Sequence, residues 1–89
     1  LNNDRVTRIE ARLRAGLAPT RLEIVDESSK HAGHPGARSG GHFAVTVVSA
    51  RFAGLNPLAR HRLVYDTLGE LMRTDIHALN VRALTPEES

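Results

Sequence analysis

Residues 52–79, Phe-Ala-Gly-Leu-Asn-Pro-Leu-Ala-Arg-His-Arg-Leu-Val-Tyr-Asp-Thr-Leu-Gly-Glu-Leu-Met-Arg-Thr-Asp-Ile-His-Ala-Leu, carry the longest helical pattern in the chain and its densest basic motif. They also hold a histidine placed where a helix hands over to a strand. Asn56 followed by Pro57 reads as a helix start. The residue before proline is driven to the extended geometry an N-cap needs, and proline is pre-set for the first helical position. At 100° per residue from Leu58, the apolar side chains Leu71, Val64, Leu68, Met72, Tyr65 and Leu58 fall between about 220° and 360°. This broad stripe predicts one helix over residues 57–73, packed on a core through those six residues. His61, near 300°, falls inside the stripe and is expected as a packed, hydrogen-bonded residue at the core edge. Arg60 and Arg62 straddle it and diverge by about 160°.

Working outward, Ile76–Ala83 alternates as a strand, with His77, Leu79, Val81 and Ala83 on the expected core face. His77 opens that face at the strand entrance. Upstream, His42–Ala50 is rich in β-branched residues, with Phe43, Val45 and Val47 inward, and suits the sheet interior. Arg21–Glu27 is a half-buried strand with Leu22 and Ile24 on one face. A first helix over about residues 4–16, capped by Asn3 or Asp4, presents Val6, Ile9, Leu13 and Leu17 as one stripe, and Gly16 and Pro19 end it. Thr85-Pro86-Glu87-Glu88 is a helix-start signal, so a C-terminal helix cut off after residue 85 is expected. The order α-β-β-α-β implies a single small domain over residues 1–89, with a three-stranded mixed α/β (α+β) sheet covered by helices.

Composition bounds the function. With 89 residues, the chain has little room for a deep enclosed pocket. Two Phe, one Tyr and no Trp leave few platforms for stacking bases. There is no cysteine, so thiolate zinc sites and an iron–sulfur cluster held by this chain alone are excluded. No apolar run approaches a membrane span, and no signal peptide is visible, so a cytoplasmic location is expected. Between Glu27 and Asp66 lie Lys30, Arg38, Arg51, Arg60 and Arg62 with no acidic residue, a local charge of +5 in a chain of net charge +2. That stretch reads either as a solvated face or as a docking surface for an acidic partner or phosphates. The loop Ser28–Gly41 has four glycines and a proline and carries His31 and His34, too few donors at that spacing for a metal site by themselves. No nucleophile motif, P-loop or zinc-protease motif is present, and no enzymatic activity is expected.

The motifs Phe52-x-Gly54, Arg60-His61-Arg62-Leu63-Val64-Tyr65-x-x-Leu68, Ile76-His77-Ala78-Leu79 and Thr85-Pro86-Glu87 together resemble the BolA family, over about Val6 to Glu88. The resemblance implies a domain similar to the type II KH fold and a monothiol glutaredoxin as partner. It also implies a 2Fe–2S cluster shared with that glutaredoxin and glutathione, in iron–sulfur trafficking or iron and redox regulation. The family's nitrogen ligands carry over to His77 and to His31, with His34 as an alternative in the loop. His42, at the mouth of the second strand, is either a group supporting those ligands or a satisfied strand-end histidine. The alternative function implied is a DNA-binding transcriptional regulator of stress or morphology, with Arg51, Arg60 and Arg62 as its footprint. Alone, the chain is expected to be a monomer or weak homodimer, without cofactor and without membrane contact.

Overall fold

A computed structural model describes residues 2–28 and 40–89. The elements run α1 (Asn2–Leu17), β1 (Arg21–Asp26), β2 (Gly41–Val48), α2 (Pro57–Leu68), α3 (Leu71–Thr74) and β3 (Ile76–Leu84), with 3-10 turns at Ala50–Phe52 and Pro86–Glu88. The sheet order is β1-β2-β3. β1 pairs antiparallel with β2, and β2 pairs parallel with β3. The β-branched strand is therefore central, as its composition requires. Phe43, Val45 and Val47 point into a core completed by Ile9, Leu13 and Leu17 of α1 and by Val64, Leu68 and Leu71. Leu22, Ile24, Leu79, Val81 and Ala83 pack at its margin. The other sheet face is uncovered at β1, where Val25 is 53% exposed.

The expected helix over residues 57–73 is broken. Gly69 adopts φ 56°, a left-handed geometry that a residue without a Cβ takes readily, and its N–H caps the Tyr65 carbonyl. The buried face of α2 is also turned from the expected one. Val64 and Leu68 are fully buried, whereas Leu58 is 60% exposed and Tyr65 is 38% exposed. Met72 and His61 are half-buried. The helix has rotated by about 60° towards Arg60 and Thr67 relative to the apolar stripe.

Two contacts hold that rotation. Gly16, expected to end α1, lies inside it, and a Cβ built there would sit 2.5 Å from Thr67 Cγ2. Gly16 thus serves close approach of α1 to α2, and the left-handed residue after the helix is Ala18, at φ 45°. On the other flank the Arg60 guanidinium donates to Leu55 O at 2.9 Å, to Ala83 O at 3.1 Å and to both carboxylate oxygens of Glu88. Glu88 in turn accepts from the Thr85 backbone N–H at 2.8 Å, closing the C-terminal turn. An ion-paired arginine with four hydrogen bonds can occupy a core margin that an isolated charge could not.

Leu68→Ala is expected to destabilise the chain by about 2–5 kcal/mol, while Leu58→Ala stays within about 0.5 kcal/mol, in denaturant unfolding. The reverse order would restore the unrotated helix. Arg60 and the Thr85 N–H pull the Glu88 carboxyl down to about 2 from an ordinary 4.5. Because the folded value is depressed, the tie contributes fully above pH about 4.5 and is lost as pH falls towards 2. Carboxyl-detected NMR titration should place the Glu88 midpoint near 2 in the wild-type chain and return it towards the ordinary value in Arg60→Gln.

Candidate functional site

The start of β3 is fixed by a buried carboxylate. Asp75 accepts from Arg8 Nε at 2.8 Å, from a second Arg8 donor, and from the Thr74 hydroxyl at 2.6 Å. The Thr74 hydrogen bond, with Arg8 behind it, holds the Asp75 carboxyl below its ordinary range. The Asp75 carbonyl accepts Gly41 N–H at 2.9 Å, so the strand starts β2 and β3 meet directly at this anchor. Gly40 makes the meeting possible. It sits at φ 150°, and a Cβ there would come 2.9 Å from the backbone nitrogen of His77.

The register of β2 against β3 slips at this point. Gly41 pairs with Ile76 and His42 with Ala78, leaving His77 as the extra residue of a bulge. The slip reverses the expected parity. Ile76, expected on the outer face, is 3% exposed and in the core. His77, expected to open the core face, is exposed. Its ring lies 5.1 Å, centroid to centroid, from that of His42, at an interplanar angle of 49°. His42 alternates away from the buried Phe43. A shallow open depression of about 230 Å³ adjoins the pair, lined by Glu27, His42, Phe43, Ala78, Leu79 and Asn80.

Both ends of the glycine-rich loop arrive here. His42 N–H donates to Ser28 Oγ at 3.0 Å, and Glu27 N–H donates to the His42 carbonyl at 2.7 Å. His31 and His34, with Lys30 and Arg38, lie outside the described residues, as does the expectation attached to the loop. Among the described residues, no three His, Cys, Asp or Glu side chains are grouped closely enough to hold a metal ion. Two imidazoles are brought together: His42, expected either to support the ligands or to be a satisfied strand-end histidine, lies beside His77. The visible sign was Gly40-Gly41 directly before His42, since paired glycines at a strand start mark close backbone approach.

The arginines of the basic stretch are not brought together. Arg60 is taken up by Glu88. Arg51 Nη1 donates to Gly16 O at 2.6 Å, and Arg62 is exposed beside Leu58 and Asp66. No helix among the described residues is long and apolar enough to cross a membrane.

Comparison with known proteins gives one answer at this point. The family described as BolA-like protein matches residues 13–88. The chain is 47% identical over 81 residues to the Escherichia coli protein named DNA-binding transcriptional regulator BolA, covering 91% of this chain and 75% of that one. It is 46% identical over 80 residues to human BolA-like protein 1, covering 90% of this chain but only 57% of the human protein's length. Among solved structures, BolA1 from Arabidopsis thaliana superposes with a TM-score of 0.81 at 41% identity, over 96% of this chain and 95% of that one. Carrying the family's motifs in order on the fold of a family structure, this chain belongs to the BolA-like protein family.

Proposed function

We propose that this chain pairs with a monothiol glutaredoxin and contributes imidazole nitrogen to a shared 2Fe–2S cluster, in iron–sulfur trafficking or iron and redox regulation. The observation that carries the reading is the display of His77 on an outward bulge, with its backbone held from behind by Asp75 and Gly40. A ligand meant for a group shared with another protein needs a fixed backbone and an outward side chain, and His77 is exposed on a backbone held by its neighbours. His31, the loop ligand that the family resemblance implies, follows Ser28 by three residues, a span of about 10 Å at most. Having no thiol, the chain leaves sulfur ligation to the partner cysteine and glutathione. Mixed imidazole and thiolate ligation raises a cluster's reduction potential relative to all-thiolate ligation. On this chain, Arg8 and Thr74 position the strand start, and His77 supplies the donor atom.

The name of the Escherichia coli relative favours a second reading, regulation through DNA. On this chain the footprint Arg51, Arg60 and Arg62 is thin, because Glu88 neutralises Arg60. Two remaining phosphate contacts would give a salt slope of only about −2.

Co-expression with a monothiol glutaredoxin, followed by visible absorbance and circular dichroism of the purified complex, tests the choice. The wild-type complex is expected to carry a cluster spectrum, His77→Ala to abolish or reshape it with the fold intact, and His31→Ala to weaken it less. An unchanged spectrum in His77→Ala, together with sequence-specific DNA binding lost on Arg51→Ala and Arg62→Ala, would reverse the ranking.

A further inference from the structure

The backbone of β1 is open along one side. The strand is six residues long and has one strand neighbour, β2, among the described residues. Glu27 N–H donates to the His42 carbonyl, and the ladder runs from Arg21 opposite Val48 to Asp26 opposite Phe43. The peptide groups of Arg21, Glu23 and Val25 therefore face β2, and those of Leu22, Ile24 and Asp26 face away. Among the described residues, no hydrogen bond closes the outward groups of Leu22 and Ile24. The strand holds no proline, glycine or lysine and pairs with β2 without a bulge, so it lacks the usual devices that blunt a sheet edge. Val25 stands exposed beside that edge, on the face away from the core. The other edge is treated differently. The Leu84 carbonyl accepts Ser49 N–H, so the Ala83 carbonyl points outward, and there it accepts from Arg60 at 3.1 Å. Both α2 and α3 also lie against β3.

A second copy of β1 fits this edge in one register. Residues directly opposite in an antiparallel pair share a face of the sheet, so a two-fold axis between identical strands must fall at a residue. An axis at Glu23 sets that carboxylate opposite its own copy, and like charges directly opposite are unfavourable. Axes at Leu22 or at Val25 carry part of the strand past the end of its partner. An axis at Ile24 engages all three outward residues, Ile24 with its own copy and Leu22 with Asp26 on either side. The Asp26 carboxylate, already held by Ser28 N–H at 2.9 Å, lies at the two ends of that pair. Glu23 then faces Val25, and the two Val25 side chains become diagonal neighbours, about 7–8 Å apart and shielded from water.

We infer that two copies of this chain pair antiparallel along β1, about a two-fold axis at Ile24, into one continuous sheet with both cores on the same side. The contact is isologous and uses each β1 edge once, so it stops at two copies. A strand of six residues is about 20 Å long, and its edge alone falls short of the roughly 1,200 Å² that stable complexes bury. The dimer is therefore weak and forms at high concentration. In the order β1-β2-β3, the paired edge is the one farther from β3, so each copy keeps His77 on an outer strand. The inference stands apart from the glutaredoxin reading, because it concerns the free chain and the opposite edge of the sheet.

Sedimentation equilibrium and NMR of the untagged chain, from micromolar to millimolar concentration, test it. A monomer at the low end and a growing dimer at the high end are expected. Amide exchange at Leu22 and Ile24 should slow as the dimer forms, while Glu23 and Val25, bonded to β2, are protected throughout. A mixture of isotope-labelled and unlabelled chain should show an inter-copy contact between the α-protons of Glu23 and Val25, the close pair of this register. Ile24→Pro removes an N–H that faces away from β2, so it spares the β1–β2 ladder and should weaken dimerisation by at least about tenfold. Leu58→Ala, on the exposed side of α2, should leave dimerisation within about twofold of wild type. Backbone amide spectra verify folding, and the inter-copy contact in the wild-type chain decides the matter if Ile24→Pro fails to fold. A chain still monomeric at millimolar concentration overturns the inference, and slowed exchange at Leu22 and Ile24 only on adding glutaredoxin would assign the edge to that partner. A dimer whose shifts map to α2 or β3, or one unchanged in folded Ile24→Pro, overturns it as well.

Discussion

Asp75, with its buried carboxylate, ties α1, α3 and the start of β2 to one point. Its side chain takes donors from Arg8 on α1 and from Thr74 at the end of α3. Its carbonyl receives the first residue of the central strand, and its own N–H returns to Leu71. A buried charge is tolerated only when paired and hydrogen-bonded, so the geometry around Asp75 is tightly specified. The parallel β2–β3 ladder begins at that point, and the bulge that turns His77 outward is the first irregularity after it. The orientation of His77 is thus inherited from a helix-to-strand ion pair two residues away.

Periodicity in the sequence revealed which segments are helices and strands, and for β1 and β2 it also revealed their inner faces. It failed on α2 for a physical reason. An apolar stripe reports where hydrophobic groups are, whereas the buried face also depends on what else the neighbours can satisfy. Here Gly16 offers a gap for Thr67, and two carbonyls with Glu88 offer a complete shell for Arg60. Those two fits bring a hydroxyl and a guanidinium inward and leave Leu58 and Tyr65 outside. None of these partners is near α2 in sequence except Leu55, so the local pattern could not contain them.

Of the candidate site, His77 and His42 were both named from the sequence, but their facing and their closeness were not. His77 stood out because its motif is continuous and ends a helix. Its facing did not, because strand alternation has a period of two and a single extra residue inverts it. His42 is thirty-five residues away in the chain, and only the parallel register sets the two rings together. The reading of Arg60 as a nucleic-acid contact came from the family resemblance and the local charge, and its ion-pair partner Glu88 lies twenty-eight residues on, in the terminal turn.

Gly40 and Ser28 have an effect on the chain between them that concerns entropy more than chemistry. Each is held to the strands by its own contacts, Ser28 through His42 N–H and Gly40 against the backbone of residues 75–77. The connection between them is therefore anchored at both feet whatever its length. Closing a longer flexible connection costs little, about 0.6 kcal/mol for each doubling. Insertions and deletions between Ser28 and Gly40 are accordingly almost neutral for folding. A change of length there leaves both feet, and the sheet beneath them, in place.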